Sequence, residues 1–309
     1  MKPIVSVVLG SYNRVQFLPL TIASVRAELT DIQHEIIVVD GGSSDGSLEW
    51  LVAQKDIVTI VQHNRGEWLG RPIKRRSWGY FMNLAFKAAQ GKFVCMLSDD
   101  CVMVPGAIKN GINVFDQQIA AGRNIGALAF YWRDWSQSSS YHVGKTLGNK
   151  LYVNHGMFLN DALKVVGYID EETFFFYNGD GDLCLKMWHQ GYEILASPDS
   201  YIEHYPHANV DVRKTNYDRF KSDLKNYLAK WEGIFYDSIT NNCGSIIEKQ
   251  FDDLHKTAET FLQLHQEIIR QNPKLVRPKP LYIRGAQQVQ WKLRGLMRRI
   301  RKLLHLNTI

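Results

Sequence analysis

The sequence contains few cysteines and no long apolar segment. Only four of its 309 residues are cysteines, and none forms a CxxC pair or a closely spaced set: Cys95, Cys101, Cys184 and Cys243. This usage disfavours a disulfide framework and is typical of a reducing, cytosolic compartment. No window reaches the roughly 18 uninterrupted apolar residues of a membrane-spanning helix, so any membrane contact is expected at the surface of the bilayer.

Two motifs are also missing near the N-terminus. The first residues lead directly into a strand-like pattern, so we expect no signal peptide. No G-x-G-x-x-G follows the first predicted strand, which disfavours a dinucleotide-binding dehydrogenase. Hydrophobic residues nonetheless make up 45% of the chain and charged residues 22%, which suffices for a large core and excludes global disorder.

Acidic residues are absent from the C-terminal end. Residues 274–309 contain ten Lys and Arg and no Asp or Glu, whereas the whole chain has 37 Lys and Arg, 31 Asp and Glu and a net charge of +6. Residues 1–273 therefore have 37 − 10 = 27 basic residues, and 27 − 31 gives them a net charge of −4. The positive excess lies entirely in this tail.

The basic tail also has apolar residues at helical spacing, with Trp291 near their start. This combination is typical of a helix that lies on an anionic membrane. We therefore expect a cytoplasmic protein that is peripheral to the cytoplasmic face of a membrane, and a tail helix packed on the body is the alternative. The acidic body argues against a nucleic-acid partner.

Short apolar strands alternate with helical patterns over the first hundred residues. Strands are predicted at 4–9, 35–39, 58–61, 93–97, 125–131 and 193–196, and helices at 17–29, 48–53, 78–89, 183–189, 217–231 and 251–269. This alternation is typical of a Rossmann-like, mostly parallel sheet that is flanked by helices. Prolines at 273, 278 and 280 indicate a linker. We predict an α/β domain at 1–208, a helical extension at 209–272, and a linker with the basic tail helix at 273–309.

Three predicted strands end in polar residues. SYNR follows the first strand, Asp40-Gly41-Gly42 the second, and Ser98-Asp99-Asp100 the fourth. Because ligands of open α/β sheets bind beyond the carboxyl ends of the strands, we expect these residues at one site. Adjacent carboxylates repel each other, so Asp99-Asp100 either forms a solvated turn or holds a divalent cation with the phosphates of a nucleotide.

Other candidate residues have a structural alternative beside the functional one. Asp40 could accept a hydrogen bond from a base or ribose, or close an Asx-turn. Tyr12 could stack on a base or be a half-buried loop aromatic. Asp180 and Asp182 lie at the start of a predicted helix, where one carboxylate could cap the helix and the other act as a general base. His204 is either a structural histidine or a metal ligand.

In combination these motifs resemble the family 2 glycosyltransferases. Four segments carry the resemblance, in the order typical of that family over roughly residues 3–205: SYNR, IIVVDGGSSDGS, FMNLAFKAAQGKFVCMLSDD and GMFLNDALKVVGYIDEETFFFYNGDGDLCLKMWHQGY. The resemblance implies a GT-A fold for the domain at 1–208. It also implies an inverting transfer from a nucleotide-diphosphate sugar, a UDP-sugar for preference, to a hydroxyl of a glycan or lipid-linked acceptor. A divalent cation, Mn²⁺ or Mg²⁺, is implied as the cofactor.

The resemblance further implies which residues bind the nucleotide-sugar. The set is Ser11, Tyr12, Arg14, Asp40, Arg76, Asn83 and Asp99. Within it, Tyr12 would stack on the base, Asp40 would bind a ring nitrogen of the base, and Asp99 would lie near the ribose. Asn83 matches the Asn of a family helix motif, although Ala85 replaces the usual Gly of that motif.

The same resemblance implies the metal ligands and the catalytic base. Asp100, the second residue of the DXD-type signature, and His204 would bind the cation. Asp180 would be the base that takes the proton of the acceptor hydroxyl. The sequence departs from the family pattern at Gly179, where an acidic residue is common, and Asp182 is the alternative base.

Two other classes of protein are the alternatives. A nucleotidyltransferase that makes sugar nucleotides normally has a Gly-rich N-terminal signature with Arg and Lys, and this sequence has SYNR in its place. A non-catalytic, carbohydrate-binding protein of the same fold would be expected to lose its carboxylates. All four of the carboxylates in question are present: Asp40, Asp99, Asp100 and Asp180.

Overall fold

A computed structural model describes residues 2–134, 138, 140–205, 216–239 and 244–249, together with residues 263, 266, 267 and 270. The linker and basic tail predicted at 273–309, and most of the helix predicted at 251–269, lie outside the described residues. Within the described ranges, no helix combines the length and the apolar composition needed to cross a bilayer.

The described chain alternates strands and helices as the sequence predicts. The strands are β1 (Val5–Ser11), β2 (His34–Asp40), β3 (Ile57–Val61), β4 (Glu67–Trp68), β5 (Arg71–Pro72), β6 (Phe93–Met96), β7 (Cys101–Met103), β8 (Ile125–Asp134), β9 (Tyr141–Gly144), β10 (Gly156–Leu159), β11 (Glu193–His204) and β12 (Ile246–Lys249). The helices are α1 (Leu18–Leu29), α2 (Ser47–Val52), α3 (Trp78–Ala88), α4 (Ala107–Ala120), α5 (Asn160–Val165), α6 (Gly179–His189) and α7 (Phe220–Trp231). Short 3-10 helices lie at Leu147–Asn149 and Tyr217–Arg219.

One large sheet organises the domain. Strands β3, β2, β1 and β6 are parallel neighbours, β10 runs antiparallel between β6 and β8, and β9 and β12 continue the sheet beyond β8. Strand β11 pairs parallel with β8 and antiparallel with β7. The Rossmann-like parallel region of the predicted α/β fold is thereby confirmed. Because Ser11 lies opposite Asp40 in the β1–β2 register, two of the polar strand ends are adjacent.

Helices cover both faces of the parallel region. Val5, Val7 and Leu9 of β1 pack with α1 in one buried cluster, whereas Val8 packs with α3 on the opposite face. Each such side chain contributes roughly 1.5–3 kcal/mol when it is fully buried. The continuous apolar pattern of the strand therefore reflects burial on two sides, and it leaves only the strand ends open to a ligand.

The segment after the sheet contains a strand as well as a helix. Tyr227 and Trp231 of α7 pack against Phe174, Leu185 and Leu147 in a separate cluster. Strand β12 pairs antiparallel with β9 at the sheet edge. The extension predicted as helical at 209–272 thus includes residues that join the sheet.

Candidate active site

A cavity of about 240 Å³ lies at the carboxyl ends of β1, β2 and β6. We call it the strand-end cavity. Seven of the residues predicted for the site line it, namely Ser11, Tyr12, Arg14, Arg76, Asp99, Asp100 and His204. Three predicted residues, Asp40, Asn83 and Asp180, are outside its lining. The structure therefore brings most of the predicted set together from positions that are far apart in the chain.

Two adjacent carboxylates share one arginine at the centre of this cavity. Arg14 Nε lies 3.3 Å from Asp99 Oδ1, and Arg14 Nη2 lies 3.3 Å from Asp100 Oδ2. Burial raises the pKa of Asp99 to about 6, because the stabilising effect of Arg14 is countered by the neighbouring Asp100. With both carboxylates ionised, the three groups have one negative charge in excess. These three groups therefore favour a further positive charge beside them.

His204 lies between Asp100 and a third carboxylate, that of Asp134. Its Nε2 lies 3.3 Å from Asp100 Oδ1, and its Nδ1 lies 2.7 Å from Asp134 Oδ1. Burial opposes a charge on the imidazole, but Asp100 and Asp134 outweigh it and raise the pKa of His204 to about 9. Without a metal ion, a protonated imidazole thus supplies positive charge between the two carboxylates, and a cation bound at Nε2 would take the place of its proton.

The donor atoms of Asp100 and His204 are suitably placed for one divalent cation. Ligand atoms bound at about 2.1 Å with octahedral angles lie roughly 3.0 Å apart. The observed 3.3 Å between Asp100 Oδ1 and His204 Nε2 is close to that spacing. A carboxylate oxygen from the turn before β7 and an imidazole nitrogen from β11 therefore fit the cation that the resemblance implies.

A buried ion pair sets the position of His204. In the register of β8 and β11, Glu203 lies opposite Arg133 and His204 opposite Asp134. The Arg133 guanidinium donates to both carboxylate oxygens of Glu203, and the Tyr141 hydroxyl donates to Glu203 Oε1 at 2.5 Å. Bidentate pairs of this kind fix geometry as well as charge. They hold the two strands in the register that places His204 beside Asp134.

Two further residues that the sequence analysis missed lie beside His204. Ligand atoms of Cys101, His155 and His204 all lie within 4.8 Å of one another, and all three residues are buried. Burial, with His204 nearby, lowers the pKa of His155 to about 3, so this imidazole is neutral. No sequence motif marks His155, because it meets His204 only through the pairing of the strands.

Tyr12 lies against a glycine and an arginine at the mouth of the strand-end cavity. A Cβ added to Gly41 would lie 3.1 Å from Tyr12 Cδ2, so the absence of a side chain at Gly41 permits the close approach. The Arg65 guanidinium lies 4.7 Å from the centroid of the Tyr12 ring. Such a distance is typical of cation–π contacts, and the half-buried ring is held at the cavity edge.

The Asp40 carboxylate is hydrogen-bonded within its own turn. Its Oδ1 accepts hydrogen bonds from the amides of Gly42 and Ser43 at 2.8 and 2.7 Å, and its Oδ2 accepts one from the Ser43 hydroxyl at 2.6 Å. The fully buried carboxylate therefore shapes the loop after β2, as in an Asx-turn. Its binding to a base stays a prediction.

Asn83 joins α3 to the segment that follows α5. Its Nδ2 donates to the Ile169 carbonyl at 2.9 Å and to Glu171 Oε2 at 2.7 Å, and its Oδ1 accepts from the Ile169 amide at 3.0 Å. All of these contacts connect protein segments to one another. The observed contacts of Asn83 are structural, and its binding to the nucleotide-sugar stays a prediction.

Asp180 and Asp182 occupy different environments at the start of α6. Asp182 is fully buried; its Oδ1 accepts from Trp231 Nε1 at 3.0 Å, and Lys230 Nζ lies 2.9 Å from it. Asp180 is half-buried, and only its Oδ1 accepts a hydrogen bond among the described residues, from the Gly181 amide at 2.8 Å. Burial raises the pKa of Asp180 to about 6. Asp182 thus binds α7, whereas Asp180 retains an oxygen that can accept a proton.

Comparison with known families identifies the class of protein. The family model for glycosyl transferase family 2 matches residues 6–162, about half of the chain. The chain therefore belongs to glycosyl transferase family 2, a family of enzymes of the transferase class. The predicted family resemblance is thereby confirmed.

Individual relatives are more distant. The uncharacterized glycosyltransferase YfnE of Bacillus subtilis is 24% identical over 257 residues, which cover 81% of this chain and 54% of YfnE. The chain thus spans about half the length of that relative.

Solved structures share the fold at low sequence identity. The mannosyltransferase PcManGT from Pyrobaculum calidifontis, in complex with GDP-Man and Mn²⁺, has a TM-score of 0.53 and 15% identity, covering 76% of this chain and 66% of its own. S. aureus TarS 1–349 in complex with UDP has a TM-score of 0.50 and 16% identity, covering 74% and 66%. These similarities confirm the predicted GT-A fold.

Proposed function

We propose that the chain transfers a sugar, with inversion, from a UDP-sugar or another nucleotide-diphosphate sugar to a hydroxyl of a glycan or lipid-linked acceptor. The observation that carries the proposal is the strand-end cavity. It combines an aromatic ring at its mouth, an arginine–carboxylate centre and a histidine from a separate strand. Two neighbours of the same fold support a nucleotide donor, because TarS was solved with UDP and PcManGT with GDP-Man.

The proposed donor site uses the three polar strand ends. Tyr12 stacks on the base, while Ser11 and Arg14 line the adjoining wall. Asp99 lies near the ribose, and Arg76 supplies positive charge near the diphosphate. Asp40 and Asn83 hold loops of the site in place, and the proposal also includes the direct nucleotide-sugar contacts predicted for them.

The proposed catalytic base is Asp180. Its Oδ2 accepts the proton of the acceptor hydroxyl while that oxygen bonds to the anomeric carbon, and the bond from that carbon to the nucleotide diphosphate breaks with its electron pair on the leaving group. The environments of the two aspartates support Asp180 over Asp182, since Asp182 is bound by Lys230 and Trp231.

Asp100 and His204 are the proposed ligands of a divalent cation, Mn²⁺ or Mg²⁺. When bound, such a cation offsets the negative charge that develops on the departing diphosphate. Asp134 orients the His204 ring through Nδ1 and leaves Nε2 directed to Asp100. Arg14 holds the second oxygen of Asp100 and so limits its rotation.

A donor screen tests this function. The melting temperature of the protein is measured with UDP-, GDP- and dTDP-sugars in the presence of Mn²⁺, and hydrolysis of each donor is followed in parallel. We expect one nucleotide series, UDP for preference, to raise the melting temperature and to be hydrolysed slowly. Binding without turnover in any acceptor mixture would favour a carbohydrate-binding protein, and diphosphate release from a nucleoside triphosphate and a sugar phosphate would favour a nucleotidyltransferase.

The basic tail at 273–309 is the proposed membrane anchor. Its ten Lys and Arg and its apolar residues at helical spacing support binding to anionic lipid. In a flotation assay, the full chain is expected to rise with vesicles that contain an anionic phospholipid and to stay behind with neutral vesicles. A chain that ends at Pro280 should lose this binding, and unchanged flotation of the truncated chain would refute the anchor.

A further inference from the structure

A second cavity of about 290 Å³ adjoins the strand-end cavity. We call it the loop cavity. Its walls are residues 74–77 before α3, residues 171–175, and the beginning of α7. Arg75, Arg76 and Phe175 line both cavities. A ligand of the loop cavity would therefore lie beside a donor bound in the strand-end cavity.

Among the described residues, four cations line the loop cavity: Lys74, Arg75, Arg76 and Arg219. Lys74, Arg76 and Arg219 are exposed and form no ion pair within the part of the chain that the structure describes. The guanidinium groups of Arg75 and Arg219 lie 5.1 and 4.9 Å from the centroid of the Phe175 ring. One aromatic ring thus holds two arginines of like charge near each other.

The electrostatic environment of Arg75 reflects this crowding. Burial, together with the like charges of Arg65 and Arg219, lowers the pKa of Arg75 from its ordinary value. Arg75 Nη2 donates to Asn216 Oδ1 at 2.5 Å, a contact that orients the guanidinium but adds no negative charge. A bound anion would relieve the repulsion among these groups.

Two of the carboxylates that line the loop cavity are hydrogen-bonded within the protein. Asp223 is buried, and its two oxygens accept from the backbone amides of Phe175, Phe176 and Tyr177 at 2.9–3.1 Å. Glu171 accepts from Asn83 Nδ2 at 2.7 Å. Among the described residues that line this cavity, the exposed Glu172 is the one further carboxylate. The groups that a ligand can reach are therefore mainly cationic.

We propose that the loop cavity binds a phosphate group of the acceptor, beside the donor, through Arg219, Lys74 and the two shared arginines. This inference rests on the proposed transferase function and adds the chemical class of the acceptor. Guanidinium groups bind phosphate oxygens in pairs, and the cavity combines three of them with one ammonium. The phosphate can belong to a phosphodiester chain or to a lipid diphosphate, since both present the same oxygens.

The test is calorimetric titration of the full chain with its donor site saturated by UDP and Mg²⁺. The probes are glycerol 3-phosphate, a glycerophosphodiester and geranyl diphosphate, with glycerol as the uncharged comparison. We expect saturable binding of glycerol 3-phosphate and none of glycerol. A preference for the diester would assign a phosphodiester acceptor, and a preference for geranyl diphosphate would assign a lipid-linked one.

Variants connect this binding to the loop cavity. Arg219→Gln and Lys74→Gln are expected to weaken glycerol 3-phosphate binding at least about tenfold in combination, with Arg219→Lys intermediate and the UDP affinity unchanged. Arg123→Gln is the matched control, because Arg123 is an exposed arginine that pairs with Glu193 and lines neither cavity.

Two outcomes would overturn the inference while leaving the donor site intact: unchanged phosphate affinity in the double variant, or competition of glycerol 3-phosphate with UDP. If instead the wild-type chain binds no nucleotide, the proposed function fails. Phosphate binding that still depends on Arg219 would then stand as a separate property.

Discussion

The two cavities differ in charge and in the elements that form them. The strand-end cavity has an acidic centre, Asp99 and Asp100, positioned by the ends of β1, β6 and β11. The loop cavity is mainly basic, and its cations lie on the segment before α3 and just before α7. Residues proposed to bind the cation are thus positioned by strand ends, whereas residues proposed for acceptor recognition lie on connecting segments, which vary most readily.

The largest effect is expected from removing the proposed base. Asp180→Asn keeps the shape of the side chain but cannot accept the proton, so kcat should fall by about 10³, within the range of general-base effects. Donor affinity should be unchanged, because Asp180 lies outside the lining of the strand-end cavity. Steady-state rates and UDP titration on the same preparation measure both quantities.

Asp182→Asn is the matched control for that variant. If kcat falls in Asp182→Asn but not in Asp180→Asn, the base is Asp182. If neither variant loses the rate, the transfer does not use a base on α6.

A somewhat smaller effect is expected at the acidic centre. Asp100→Ala removes one of two proposed ligands, so cation affinity should weaken by at least about tenfold and kcat should fall by about 10². Titration of Mn²⁺ followed by electron paramagnetic resonance measures the affinity independently of turnover. Full activity in this variant, or in wild type with EDTA, would exclude the metal role.

The sequence predicts site residues that follow a strand, but not those that strand pairing brings to the site. Asp99 and Asp100 follow an apolar strand, and a strand end locates its residues at the edge of a sheet without further information. Asp134 and His155 have no such signal. They approach His204 because β8 pairs with both β10 and β11, and the paired residues are about 30 and about 70 positions apart in the sequence.

Asp180 and Asp182 also show that sequence spacing alone does not determine the role of a residue. The spacing of Asp180 and Asp182 is typical of a helix start, but it does not tell which one is engaged. Asp182 is the engaged residue because Lys230 and Trp231 donate hydrogen bonds to it, and these two residues lie 48 and 49 positions further along the chain. Arg219 and Arg75 likewise meet at the Phe175 ring only because α7 packs beside it. No local sequence pattern therefore predicts the loop cavity.

The pH dependence of kcat at saturating donor tests the proposed base, while donor affinity follows Asp99 of the acidic centre, whose pKa is also raised to about 6. Because the pKa of Asp180 is raised to about 6, its carboxylate becomes protonated as the pH falls through 6 and can no longer act as a base. At saturating donor, kcat should therefore be constant above about pH 7 and fall about tenfold per pH unit well below 6. Donor affinity measured over the same range serves as the control. A rate that is independent of pH between 5 and 7 would contradict the assignment.

The smallest effect on rate is expected for Asp182→Asn, and its main consequence should be a loss of stability. The change removes a buried negative charge that pairs with Lys230, while Asp170 still pairs with that lysine at 2.8 Å. We expect the free energy of unfolding to fall by about 2 kcal/mol, as for other charged hydrogen bonds, with kcat within about threefold of wild type at low temperature. Urea unfolding followed by tryptophan fluorescence measures the first and steady-state rates the second. A variant as stable as wild type would mean that the apolar contacts of α7 and the hydrogen bonds of Asp223 hold the helix without the buried pair. The pair would then have no part in keeping Phe175 and Arg219 at the loop cavity.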